Sequence, residues 1–251
     1  MNSKTLFLAW QDKARSRQWF PVGRLDVFQP DSLYRFRYVQ GAKQAHEQTG
    51  FVPLKDFPDF GKSYEASELF PLFKNRLLTP GRKDFHEYLR LLDLSGQPDP
   101  IDILSVDGGY RATDSFEVFP KIERQKDGGF CCRFFLHGSR YVSAEAQRRL
   151  ERLQPEENLF VAVELTNPVT HFAVQVQTED YYMIGWAPRY LIRDLVGAIA
   201  NAPGNYQAKV VRVNPVPAPS KQRLLVELRG KWPDYEPMTT EDFRPLVKIE
   251  S

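Results

Sequence analysis

The chain has 251 residues, of which 42% are hydrophobic and 13% aromatic. That length suits one large domain or two smaller ones, and that composition excludes wholesale disorder. The formal net charge of +2 excludes a strongly basic nucleic-acid coat, so any anion binding must come from a local patch.

Leu6, Leu8 and Trp10 alternate with Phe7 and Ala9, the period-two pattern of a strand. The same run is too short for a signal peptide or a membrane span. After a polar loop over 12–19, a second strand begins at Phe20. The stretch Leu33 to Val39 is an amphipathic strand, with Leu33, Arg35, Arg37 and Val39 on one side and Tyr34, Phe36 and Tyr38 on the other. A short helix fits Gly41 to Gly50. Within Tyr64 to Leu78 a helix start is expected near Ser67, with Pro71 at an early helical position. Phe85, Tyr88, Leu89 and Leu92 give a second helical pattern over 84–94. Residues 101–104, 107–109 and 111–119 read as a hairpin and a buried strand. Pro120 and Asp127-Gly128-Gly129 then mark a domain boundary, giving a first domain over 1–124 and a second over 125–251.

The second half reads as a strand over 130–136, a helix over 144–153 and a strand through Phe160, Ala162 and Glu164 that Asn167-Pro168 breaks. A strand restarts at Ala173, a turn falls at Thr178 to Asp180, and Ile184 to Tyr190 leads into a helix that stops at Pro203-Gly204. Further strands cover 208–213 and 223–228, and the tail from Trp232 is expected to be irregular.

Among reactive residue types the pattern is sparse. Asp99, Asp102, Asp114, Glu117 and Lys121 are the residues a metal-dependent nuclease would need to converge, although no Glu-x-Lys pair sits on a matching strand. His46, His86, His137 and His171 lack the spacing of a zinc protease, and there is no Gly-x-Ser-x-Gly elbow. The cysteines, Cys131 and Cys132, are adjacent. On a strand they point to opposite faces, which disfavours a disulfide between them, and with no C-x-x-C spacing they do not suggest zinc. No cofactor or metal is expected, and a reducing cytoplasm fits best.

Four separated blocks carry a resemblance. They are Gly138-x-Arg140-Tyr141, Glu164-x-x-Asn167-Pro168, Ala173-Val174-x-Val176, and Gly185-x-x-Pro188-Arg189-x-Leu191. In that order they resemble the HIRAN domain, a small β-barrel-like module at the front of some fork-remodelling helicase-like ATPases and also a stand-alone bacterial protein. The resemblance implies an α+β chain whose C-terminal part is a β-barrel with two helices. It also implies binding of single-stranded DNA at a 3′ end. Carried over by position, Arg140 would contact phosphate, Tyr141 would stack on a base and Asn167 would make a polar contact. Trp186 would add a second aromatic surface, and Arg189 a phosphate contact at a helix start. DNA-binding members carry an aromatic and then an aspartate after the Asn-Pro. Here Val169 and Thr170 stand there, leaving Thr170 a hydrogen bond but no stacking ring.

The first half resembles the N-terminal lobe of HipA-type toxin kinases, through Val22-Gly23-Arg24-Leu25, Tyr34-x-Phe36-x-Tyr38 and Leu69-Phe70-x-x-Phe73-x-Asn75-x-Leu77. This implies a smaller β-rich α+β domain without phosphotransfer, since no phosphate loop or His-Arg-Asp loop is present. The function expected is a non-catalytic DNA-binding protein, accessory to a repair, restriction or toxin–antitoxin-type system. The alternatives are a protein-interaction module and a metal-dependent nuclease.

Overall fold

A computed structural model describes residues 2–29, 33–168, 171–232 and 234–248. The chain is a mixed α+β protein that divides into two compact units, one formed by 1–85, 97–121 and 238–251, the other by 86–96 and 122–237. Among the described residues no helix is long and apolar enough to cross a membrane.

The first unit is built on an antiparallel sheet. Its strands are β1 (Asn2–Gln11), β2 (Trp19–Gln29), β3 (Leu33–Tyr38), β4 (Ser63–Ala66) and β5 (Phe116–Pro120), in the order β4-β3-β2-β1-β5. Helix α1 (Gln40–Thr49) ends at Gly50, whose φ of 78° supplies the left-handed cap. The β3 alternation decides its faces. Phe36 and Tyr38 are fully buried, and Phe36 stacks on Phe57 at 3.8 Å. On the opposite face Arg37 and Arg24 both donate to the buried carboxylate of Asp26, which also accepts from Thr5. A buried charge is tolerated there because it is paired and hydrogen-bonded.

The sequence expectation fails at two places here. The stretch after Ser67 forms only the single-turn helix α2 (Pro71–Lys74), with Pro71 at its start. Residues 100–107, read as part of a hairpin, are instead helix α4 (Pro100–Asp107). Asp99 accepts from the Ile101 backbone N–H at 2.7 Å, Pro100 takes the first helical position and Gly108 closes the end at φ 74°. These are start and stop signals of a helix, and they outweigh the β-branched Ile101 and Ile103.

The second unit contains α3 (Phe85–Leu91), most of which lies within 86–96, and a six-stranded antiparallel sheet. The strands are β6 (Gly129–Phe135), β7 (Asn158–Asn167), β8 (His171–Thr178), β9 (Met183–Trp186), β10 (Tyr206–Val213) and β11 (Leu224–Lys231), ordered β6-β11-β10-β7-β8-β9. Helices α5 (Ala144–Leu150) and α6 (Ile192–Asn201) complete it, α5 against β9 and α6 against β8. The expected β-barrel is not formed. The edge strands share no ladder, and their ends meet only through an isolated bridge, His137 with Trp186.

The described tail from Trp232 is irregular, as expected, apart from the 3₁₀ turn Glu241–Phe243, but its aromatic residues are packed. Trp232 is fully buried and stacks on Phe130 at 3.8 Å. Phe243, in the first unit, packs edge-on against Phe7 at 4.8 Å. The capping analysis of α4 gives a direct test. Replacing Asp99 by Ala should lower unfolding free energy by about 1 kcal/mol, whereas Asp99→Asn should retain most of it. Chemical denaturation of both variants measures the difference.

Candidate nucleic-acid interface

The organising side chain of the second unit's sheet edge is Trp186, at the end of β9. It pairs with Gln175 of β8, and that register places its indole on the same face as Glu164 of β7. Trp186 Nε1 donates to Glu164 Oε2 at 2.9 Å, and Asn167 Nδ2 donates to the same oxygen at 3.1 Å. The β7–β8 register shifts between Glu164 and Asn167, where the chain turns into Pro168. His171 closes the hairpin opposite Asn167 with φ 65°, a left-handed conformation.

The indole N–H is the largest influence holding the Glu164 carboxyl below the usual carboxylate range. Partial burial opposes it, and Asn167 and Gln175 reinforce it. Such a carboxylate accepts two donors with one oxygen because a charged acceptor makes the stronger hydrogen bonds.

The backbone of Trp186 makes the second connection. Its N–H and carbonyl exchange hydrogen bonds with His137, both at 2.9 Å. The next residue, Gly138, has φ 73°, and a Cβ there would lie 2.5 Å from the indole ring. Only glycine allows the chain to pass this close to the ring in that conformation. Gly185, on β9, faces His137 with as little room, since a Cβ would fall 2.6 Å from the His137 carbonyl oxygen.

This contact delivers the 3₁₀ turn Ser139–Tyr141 to the edge of the site. Arg140 and Tyr141 are both exposed, Tyr141 by 71%. The Arg140 guanidinium lies 4.6 Å from the Tyr141 ring centroid and donates to its hydroxyl. Gln147 of α5 holds the turn through the Val142 carbonyl at 3.1 Å. Ser143 caps α5 by accepting from the Ala146 N–H at 3.2 Å. Beyond Trp186, half-buried Arg189 begins another 3₁₀ turn, and its neighbour Tyr190 sets its ring edge-on to His137 at 6.5 Å.

Of the residues singled out from the sequence, Asn167 and Trp186 are thus joined through one carboxylate. Arg140 and Tyr141 reach the same corner through His137 and Gly138. Arg189 sits on the turn that follows. Thr170, with Val169, lies outside the described residues. Sequence reasoning placed Glu164 in a family block but gave it no role. Its signal was there: an acidic residue on the Phe160–Ala162–Glu164 face, three positions before an asparagine.

Three of the carboxylates considered for metal chemistry are employed elsewhere. Asp99 caps α4, Asp102 accepts from Lys4 at 2.6 Å, and Asp114 pairs with buried Arg76 at 2.6 Å. Among the described residues no group of three or more His, Cys, Asp or Glu is placed to hold a metal ion.

A further prediction concerns the Glu164 pair. Its depressed folded-state pKa makes its stabilising contribution present above pH 4.5 and lost as pH falls through the lower folded value. Acid titration of tryptophan emission should therefore show a step below pH 4.5 that is missing in Glu164→Gln.

The HIRAN domain family matches residues 129–229. A solved structure of a protein from Lactobacillus plantarum aligns at 20% identity and TM-score 0.32, covering 41% of this chain and 97% of that one. No curated protein matches the chain.

Proposed function

We propose that this protein binds DNA without catalysis, taking a single strand or a DNA end at the corner built around Trp186. The observation that carries this reading is the Trp186–Glu164–Asn167 arrangement with Arg140 and Tyr141 beside it, inside the region that matches the HIRAN family. HIRAN domains bind DNA, and the side chains here have the matching chemistry. Tyr141 offers an exposed ring for a base, while Arg140 and Arg189 offer guanidinium groups for phosphate. Glu164 is a positioning residue, because it fixes the indole and the Asn167 amide rather than facing the ligand alone.

The role is that of an accessory protein in the cytoplasm, in a repair, restriction or toxin–antitoxin-type system. The HipA-lobe-like reading of the first unit belongs to the same proposal, with that unit as the part that docks on a protein partner.

Fluorescence anisotropy with labelled single strands tests the DNA reading. Replacing Tyr141 by Ala should weaken binding by about 1–3 kcal/mol, the worth of one base–aromatic stack. Arg140→Ala should weaken it and flatten the salt dependence by roughly one phosphate contact. Unchanged affinity in the Arg140→Ala, Tyr141→Ala double variant would remove the site. Salt-insensitive association would favour a protein interface instead.

A further inference from the structure

The corner at Trp186 opens onto a longer surface. In β7 and β8, Val174, Val176 and Thr178 are buried on the inner side, which leaves Phe160, Ala162, Gln175 and Gln177 on the outer side with Glu164 and Trp186. Phe160 is 42% exposed, and its ring contacts that of Tyr181, itself 75% exposed, at 5.5 Å. Buried aromatic pairs are ordinary core, but a ring pair this open on a sheet face has given up solvent shielding without packing into the protein. Between it and Trp186 the face carries Ala162, Met183 and the amides of Gln175 and Gln177. Past Phe160 it continues through Asn158, hydrogen-bonded to Gln207, to Lys209 and Arg229 of β10 and β11.

We infer that this outer face is a track for the single strand beyond the Trp186 corner, with Phe160 and Tyr181 as its second stacking platform. The inference rests on the DNA-binding reading and extends it from a terminal pocket to a footprint of several nucleotides. Neighbouring positions on one face of a strand lie about 7 Å apart, a step that an extended nucleotide spans. Phe160 and the level of Trp186 are separated by that interval, since Ala162 and not Phe160 pairs with Gln175, the partner of Trp186. Rings stack on any base, and glutamine amides serve any base edge, so the face suits a strand without sequence preference.

The cations at its far end are paired, Lys209 with Glu156 and Arg229 with Glu227. The Arg229 side chain is nonetheless 67% exposed. Glu156, the partner of Lys209, is 80% exposed, and exposed pairs of this kind contribute little, so a phosphate competes for Lys209 at small cost.

Oligothymidylates of about 3 and about 12 nucleotides distinguish the track from the corner, the longer one filling a footprint of ordinary size. The wild-type protein should bind the longer strand more tightly. Phe160→Ala with Tyr181→Ala should weaken the longer strand by about fivefold or more while leaving the shorter one unchanged. Phe160→Leu with Tyr181→Leu keeps apolar area but removes the rings, and it should lose the same length advantage. Equal wild-type affinity for both lengths, or a length advantage that survives both double variants, overturns the track and leaves the corner standing. Failure to bind either length overturns both.

Discussion

One carboxylate oxygen ties the sheet edge together. Glu164 Oε2 receives the Trp186 indole and the Asn167 amide, which fixes β9 against β7 and fixes the hairpin tip against both. A half-buried indole N–H and a half-buried amide each need an acceptor, and leaving one unmet costs about 1–3 kcal/mol. The carboxylate meets both at once. Because Trp186 also exchanges backbone hydrogen bonds with His137, the same fixed residue determines where the Arg140–Tyr141 turn begins. Gly138 is then forced by the lack of space beneath that turn.

The open sheet gives this edge its use. A closed barrel would satisfy both edge strands by pairing them. Here the ladder stops, the ends touch at one bridge, and α5 packs against β9 and α6 against β8. The outer face of β7 and β8 carries the amides of Gln175 and Gln177 and the exposed ring of Phe160. Strands that bury one face and wet the other usually alternate apolar and polar residues, and Phe160-Val161-Ala162-Val163-Glu164 departs from that form at Phe160 and Ala162. The apolar residues on its wet face, Phe160 above all, are what a purely structural strand has no reason to keep exposed.

Much of the second unit was legible from the chain because its signals are local. Asn167-Pro168 stops a strand by proline chemistry, and the Ala173–Val176 alternation restarts one. The role of Glu164 was not legible. It depends on the β7–β8 register and on β9 lying next to β8, neither of which a spacing in sequence fixes. Closure into a barrel failed for a related reason, because it is a property of strand order. In the first unit the helix Pro100–Asp107 was missed although Asp99, Pro100 and Gly108 all announced it, since Ile101 and Ile103 drew the reading toward a strand. Trp232 and Phe243 were hidden in a polar tail whose partners, Phe130 and Phe7, lie far away in the chain.

The most direct measurement follows the tryptophan indole signals by two-dimensional ¹H–¹⁵N NMR as an unlabelled single strand is added. The Trp186 resonance is identified by its loss in Trp186→Phe. The account predicts that this signal moves or broadens progressively with added strand, while that of Trp232, buried against Phe130, stays in place. A strand that binds by anisotropy yet leaves the Trp186 signal unmoved would contradict the placement of the interface at the Glu164–Trp186 edge.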